Sequence, residues 1–173
     1  MKKKKVKQKT MLDVGCGFNK QPGFVGMDKR DVEGVDIIHD IEKMPWPIDD
    51  ESCAIVTMSH LIEHIKPWLQ IDVIDEAWRV LEPGGLLAIA TPHGESAGYL
   101  QDPTHCAPWT EATVEYFCAG TGLYEVYRPK PWQIDFGPDK RLKFFYSKRA
   151  NLEVVFKKLT LEEGERMRQN AKN

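Results

Sequence analysis

Short apolar runs, each broken by glycine, proline or acidic residues, fill the first ninety positions. Met11–Val14 leads into Gly15-Cys16-Gly17. Residues 23–28 read GFVGMD, residues 35–40 read VDIIHD, and residues 53–59 read CAIVTMS. Runs of this length, with β-branched residues and turn formers at their ends, predict strands. Residues 42–52, EKMPWPIDDES, hold two prolines and an acidic cluster, which predicts a loop. From Lys66 to Gly85 the period changes. Leu69, Val73, Ala77, Val80 and Leu81 recur at helical spacing, joined by Ile74 and Trp78. Pro67 suits a first helical position, and Pro83-Gly84-Gly85 predicts the stop.

Residues 86–93, LLAIATPH, predict the next strand. Residues 110–120, TEATVEYFCAG, predict a helix capped by Thr110 and closed by Gly120. Two aromatic and β-branched stretches follow, residues 123–137 and 142–159, and predict two or three longer antiparallel strands. This alternation predicts an α/β fold: a Rossmann-like, doubly wound, mostly parallel sheet with a C-terminal antiparallel strand pair. The expected division is a basic N-terminal tail at 1–9, one domain at 10–160 and a polar C-terminal tail at 161–173.

Composition narrows the function classes without naming one. The chain has 173 residues, 42% hydrophobic and 29% charged, with a net charge of -2, so no overall basic footprint favours nucleic acid or membrane. The local exception is the lysine run Lys2, Lys3, Lys4, Lys5, Lys7 and Lys9, read as a solvated tail. Cys16, Cys53, Cys106 and Cys118 show no paired spacing. They are read as free thiols in a reducing, cytoplasmic setting. No apolar run reaches the roughly 20 residues that span a bilayer.

In an open parallel sheet, ligands bind beyond the carboxyl ends of the strands. The first strand ends in Asp13, Gly15, Cys16 and Gly17. A dinucleotide fingerprint needs a further glycine where Lys20 stands, so a pyrophosphate site is disfavoured. Asp28 closes the second run, where a carboxylate can accept from both hydroxyls of a ribose. Asp40 closes the third, where one can accept from an exocyclic amine. Either aspartate alone also fits a turn or helix cap. In chain order, a glycine turn and two acidic strand ends describe a nucleoside pocket without a phosphate cradle.

LDVGCG, then GMD, then VDIIHDIEKMPWPIDDESCAIVTMSHLIEHI, then EAWRVLEPGGLLAIATP resembles the class I S-adenosylmethionine-dependent methyltransferases, closest to the compact type 11 domains. The resemblance covers about residues 10 to 118. It implies that Asp13, Gly15, Cys16 and Gly17 surround the methionine moiety, and that Asp28 holds the ribose. Asp40 and the backbone of Ile41 would hold the adenine, and Met58, Ser59 and His60 would line the sulfonium. Asn19 replaces the usual third loop glycine, and Lys20 becomes a candidate for the methionine carboxylate, with a solvated surface lysine as the other reading.

Residues 60–64, HLIEH, fit H-x-x-E-H, which can mark a zinc hydrolase. Such enzymes carry the histidines on a long helix, whereas Pro67 starts a fresh helix here. The segment is therefore read as a short turn facing the cofactor, with His64 or Glu63 as a general base or as a loop-ordering residue. Residues 91–110 form a second polar cluster with His93, Asp102, His105 and Trp109, and DPTH resembles a segment of the same methyltransferase group. His105 is an alternative base. No metal is assigned, since the spacing of His60, His64, His93 and His105 does not demand one.

The expected reaction is methyl transfer from S-adenosylmethionine, leaving S-adenosylhomocysteine, to a small-molecule, sugar or lipid-type acceptor. Ser59-His60-Leu61 stands where a base-modifying enzyme would carry a base-stacking motif, which disfavours nucleic acid. Trp109, Tyr116, Trp132 and Phe136 fit either an acceptor floor or the core. The family's usual helices before the first strand are missing, which predicts an open pocket suited to a large acceptor, a homodimer or a partner subunit that closes the lid. Two alternatives stay open: a non-catalytic binding or regulatory protein on the same fold, and a metal-dependent hydrolase using His60, Glu63 and His64.

Overall fold

A computed structural model describes residues 9–135 and 151–172. Lys2 to Lys7, Phe136 and the first part of the final aromatic stretch lie outside them. Seven strands form one sheet in the order β3-β2-β1-β4-β5-β7-β6. They are β1 (Thr10–Val14), β2 (Val25–Asp28), β3 (Ile37–Ile38), β4 (Cys53–Ser59), β5 (Leu81–Pro92), β6 (Trp132–Ile134) and β7 (Asn151–Lys158). The first five run parallel, and β7 lies antiparallel between β5 and β6. The expected fold class is therefore present. After β1 the chain builds outward through β2 and β3, then returns to the other side of β1 as β4. That reversal is the switch point at which such sheets bind ligands.

Register sets what stands there. Val14 lies level with Met27 on one side and Met58 on the other. Gly15, Asp28 and Ser59 are each one residue further on, so they form a row across the carboxyl ends. The two crossovers on this side are thin: residues 15–24 and 29–36 make turns and bends but no helix.

The helical period at 69–81 produces a 3₁₀ turn at Pro67–Leu69 and then α1 (Gln70–Val80). Val73, Ile74, Ala77 and Val80 are completely buried. At roughly 1.5–3 kcal/mol for each large aliphatic side chain, that face holds the helix to the sheet. The helix stops before Pro83-Gly84-Gly85. Leu81 is already extended and pairs with Cys53, while Leu86 pairs with Ile55. The predicted stop signal is therefore a bulge inside β5, with Gly84 at φ 77°. The proline-rich loop before β4 is tied to α1. Trp46 N–H donates to Glu76 Oε1 at 2.6 Å, and Arg79 Nη1 donates to Ile48 O at 2.9 Å.

Two expectations are corrected. The helix predicted over 110–120 is only α3 (Glu111–Glu115), because the chain then bridges to Trp132: Ala119 N–H donates to Trp132 O at 3.0 Å. Residues 123–127 form a helical turn, α4 (Tyr124–Tyr127), rather than strand, with Tyr124 Oη bonded to Pro129 O at 2.7 Å. A further short helix, α2, covers Ala97–Leu100. The polar C-terminal stretch forms α5 (Leu161–Asn170), docked on the domain. Its Thr160 cap accepts from Glu163 N–H at 3.2 Å, its Gly164 sits against Pro131, and Arg168 Nε donates to Glu125 at 2.7 Å. Polar composition concealed this docking, which uses one glycine, Met167 and an ion pair rather than an apolar stripe. Among the described residues no helix is long and apolar enough to cross a membrane.

Candidate functional site

Two groups of side chains meet at the carboxyl end of the sheet. The first is built around Asp28, which is 5% exposed. Its Oδ2 accepts from Gly17 N–H at 2.9 Å, and its Oδ1 accepts from Arg30 N–H at 2.9 Å. The Arg30 guanidinium adds Nε to Oδ1 at 3.0 Å and Nη2 to Oδ2 at 3.2 Å. Burial pushes the Asp28 carboxyl up, but the Arg30 side chain and the two main-chain bonds outweigh it and hold the group below its ordinary value. Arg30 is a residue that the sequence did not single out. Its donation to both carboxylate oxygens shows only in three dimensions.

The β1 loop is folded for this purpose. Gly15 and Gly17 adopt φ of 71° and 51°, which glycine reaches without strain. A Cβ on Gly17 would lie 2.5 Å from Arg30 Nη2. The missing side chain therefore keeps open the space above Asp28 that the guanidinium fills. A Cβ on Gly15 would strike Leu61 at 2.6 Å, so the loops after β1 and β4 touch here.

The other predicted cofactor residues take varied places. Asp13 is buried and already fully engaged: Oδ2 accepts from Gln21 N–H at 2.8 Å and Oδ1 from Thr57 Oγ1 at 3.0 Å. It anchors the glycine loop to β4. Cys16 is buried under that loop, and burial, then Asp13 and Asp28, push its thiol up. Lys20 points away from the row, onto Asp36 at 2.8 Å. Asp40 is not a strand end, because β3 stops at Ile38. Its Oδ1 accepts from Glu42 N–H at 3.2 Å in a turn, and Ile41 O accepts from Trp46 Nε1 at 2.9 Å. Met58 is buried, while Ser59 and His60 are exposed at the mouth.

The second group follows β4 and β5. HLIEH makes a single 3₁₀ turn at Ile62–His64, too short for the zinc-hydrolase helix. His60, at φ 51°, is turned so that its ring lies between Asn151 and Glu63. Glu63 is completely buried. Its Oε2 accepts from Thr91 Oγ1 at 3.0 Å, and its Oε1 has no hydrogen bond; His60 Nδ1 stands 3.4 Å away. The DPTH loop is laced to this turn, since Cys106 N–H donates to Glu63 O at 2.9 Å. His64 Nδ1 meets Thr104 Oγ1 at 3.0 Å, and Thr104 Oγ1 donates to Asp102 Oδ1 at 2.7 Å. His105 Nδ1 meets Tyr99 O at 2.8 Å, and the His64 and His105 rings lie edge to face at 4.7 Å.

The three predicted acid–base candidates, Glu63, His64 and His105, thus form one cluster, with one ligand-type atom from each within 4.8 Å of the others. Linear spacing did not bring these three together, because two loops must fold against each other to do so. His93 stands apart, accepting from Glu95 N–H at 3.1 Å and pairing with Glu111 at 3.2 Å. Trp109 and Trp132 are core residues, 1% and 0% exposed, so neither floors an open pocket. Trp109 Nε1 donates to Gln70 Oε1 at 2.7 Å, and Gln70 Nε2 in turn donates to Ile62 O and Ile65 O, bracing the turn that carries Glu63.

Comparison with known proteins bears on the fold and on part of the chain. Residues 16–89 match the family described as "Methyltransferase domain". A curated protein of Mycolicibacterium smegmatis, "Probable S-adenosylmethionine-dependent methyltransferase", is 28% identical over 99 residues, 48% of this chain. This chain's match spans 38% of the length of that relative. The crystal structure of a SAM-dependent methyltransferase from Archaeoglobus fulgidus superposes with a TM-score of 0.60 at 18% identity, over 87% of this chain and 86% of that one. One from Methanosarcina mazei gives 0.59 at 17%, over 87% and 92%. At these identities the structural likeness is one of fold.

Proposed function

We propose that this chain, whose residues 16–89 match a methyltransferase domain and whose sheet has the class I fold, is a methyltransferase that binds S-adenosylmethionine across the ends of β1, β2 and β4 and passes its methyl to an acceptor. The acceptor class is a small molecule, a sugar or a lipid-borne glycan. The observation that carries the reading is the Arg30 guanidinium on Asp28. It presents two N–H donors to the two oxygens of one buried carboxylate. A ribose diol would present the same pair. Arg30 has a 53% exposed side chain and can swing into solvent, leaving the Gly17 and Arg30 main-chain bonds in place. The cradle without side chain at Gly17 leaves room for that exchange. Site and cofactor therefore fit.

When bound, the sulfonium supplies an electrophilic methyl on a good, neutral leaving group. The protein's task is then mainly to position the acceptor. Asp28 holds the sugar, and the Gly15–Leu61 contact sets the gap between the two loops. Ser59 and His60 stand at the mouth where the acceptor enters. Beyond them, the Glu63, His64 and His105 cluster is placed to orient an acceptor hydroxyl and take up its proton. Phe18, on the loop after β1, and Leu100, the last residue of α2, are 71% and 73% exposed and offer apolar cover for a second copy or a partner subunit. The four cysteines are free, which supports a reducing, cytoplasmic setting.

Calorimetric titration with S-adenosylhomocysteine is the first test, followed by labelled-methyl transfer to a panel of sugars and phenols. One-to-one binding without transfer would favour the non-catalytic alternative. No binding by a folded protein would refute the reading.

A further inference from the structure

We propose that Glu63, His64 and His105 bind a divalent transition-metal ion beside the methyl-transfer cleft. Three observations carry this. One ligand-type atom from each residue lies within 4.8 Å of the others. Ligands about 2.0–2.2 Å from an ion stand roughly 3–4 Å apart, so small side-chain rotations of about 1 Å seat it.

The second observation is the buried carboxylate. Glu63 is fully buried, with Oε2 satisfied by Thr91 and Oε1 left without a hydrogen bond. An unmatched acceptor inside a protein is costly and calls for a positive partner. His60, which faces Oε1 at 3.4 Å, is spread between that oxygen and Asn151 and does not make the bond.

The third is the state of the two rings. Thr104 Oγ1 spends its hydrogen on Asp102, so it accepts from His64, whose Nδ1 carries the proton. Tyr99 O can only accept, so Nδ1 of His105 also carries a proton. With Nδ1 so engaged, Nε2 is the nitrogen that each ring has left to offer a ligand. Anchoring one ring nitrogen on a carbonyl or a hydroxyl–carboxylate relay, so that the other is presented as a ligand, is how proteins orient metal-binding histidines. His105 Nε2 stands 3.8 Å from Asp102 Oδ2, which adds a second carboxylate to the rim. Two imidazoles and a carboxylate suit zinc, manganese, iron or cobalt rather than calcium or magnesium.

The ion's use in catalysis rests on the methyl-transfer reading: as a Lewis acid it would bind an acceptor hydroxyl and lower its proton affinity. Its binding does not. The full chain, stripped with chelator and dialysed, would be titrated with Zn²⁺ by calorimetry and with Co²⁺ by visible absorption at pH 7.5. One equivalent should bind, with Co²⁺ developing a ligand-field band. His64→Ala, at an exposed position, should weaken Zn²⁺ at least tenfold while leaving the melt unchanged. Thr104→Val, which frees the His64 ring without removing it, should weaken it about tenfold or more. Absence of stoichiometric binding would overturn the site. Binding undiminished in both variants would equally overturn it, placing the ion elsewhere. Titration of the same samples with S-adenosylhomocysteine separates the two ideas. Cofactor binding without metal sinks only the ion, and metal without cofactor sinks only the methyltransferase reading.

Discussion

Asp28→Ala tests the site most directly. In the protein the carboxylate takes four bonds, two from main-chain N–H groups and two from the Arg30 guanidinium. A bound ribose would replace the guanidinium pair. A hydrogen bond to a charged acceptor contributes about 1.5–3 kcal/mol, so two hydroxyls give roughly 3–6 kcal/mol. Against this stands the loss of a half-exposed ion pair, at most about 1 kcal/mol. The substitution should therefore raise the dissociation constant for S-adenosylhomocysteine by about two to three orders of magnitude. Calorimetry reads this, with a thermal melt alongside because Gly17 N–H and Arg30 N–H also lose their acceptor. Arg30→Ala is the companion: it removes the competitor and keeps the carboxylate, so affinity should hold or rise up to about fivefold. Binding by a cooperatively folded Asp28→Ala protein within threefold of the parent would refute the reasoning. So would Arg30→Ala weakening it as much as Asp28→Ala.

Thr57→Val removes the hydroxyl that donates to the buried Asp13 carboxylate at 3.0 Å. It should cost about 1–3 kcal/mol in urea denaturation, and a loss below about 0.5 kcal/mol would show that Asp13 does not anchor the loop through β4. Asp75 is pushed from 3.8 up to about 6, chiefly by burial, with Lys130 opposing. Its native state therefore holds a proton more tightly than the unfolded chain. That stabilisation is full below the unfolded value near 3.8 and is lost as pH rises through about 6. Asp75→Asn keeps an acceptor for Lys130 N–H and should flatten this dependence, gaining about 1–2 kcal/mol at pH 7.5 after allowance for partial exposure. Urea midpoints at pH 4 and 7.5 check it, and a variant with the parent's slope between them would count against the assignment.

How much could be read beforehand depended on whether a feature was local. The strands β1, β2, β4 and β5 stood out as apolar runs closed by turn formers, and α1 as a helical period. Asp28 was legible because it ends its strand. Asp40 does not end its strand, because only Ile37 and Ile38 of VDIIHD pair and the polar His39 and Asp40 lie beyond them. Pro83-Gly84-Gly85 reads as a helix stop in isolation, yet pairing of Leu81 with Cys53 ended α1 sooner and carried these residues into β5. Residues 123–127 are aromatic enough for a strand, but a Thr121 side chain accepting from Tyr124 N–H at 3.1 Å starts a helical turn. The Glu63, His64 and His105 cluster was invisible as a unit. Its members lie on two loops about forty positions apart, joined by main-chain bonds from Cys106 to Glu63 that no side-chain pattern announces.

The bare crossover between β1 and β2 divides the work that a ligand must do. A helix beginning just past a strand would aim free N–H groups, and half a positive charge, at an anion there. Here Asn19 N–H is spent on Cys16 O, Gln21 N–H on Asp13 and the Lys20 ammonium on Asp36. An amino-acid carboxylate arriving at this end would meet little that attracts it, which leaves most of the grip to the nucleoside. 5′-Methylthioadenosine, which lacks the amino-acid arm, should therefore bind within about tenfold of S-adenosylhomocysteine. A gap of a thousandfold would mean that this turn harbours an anion receptor after all.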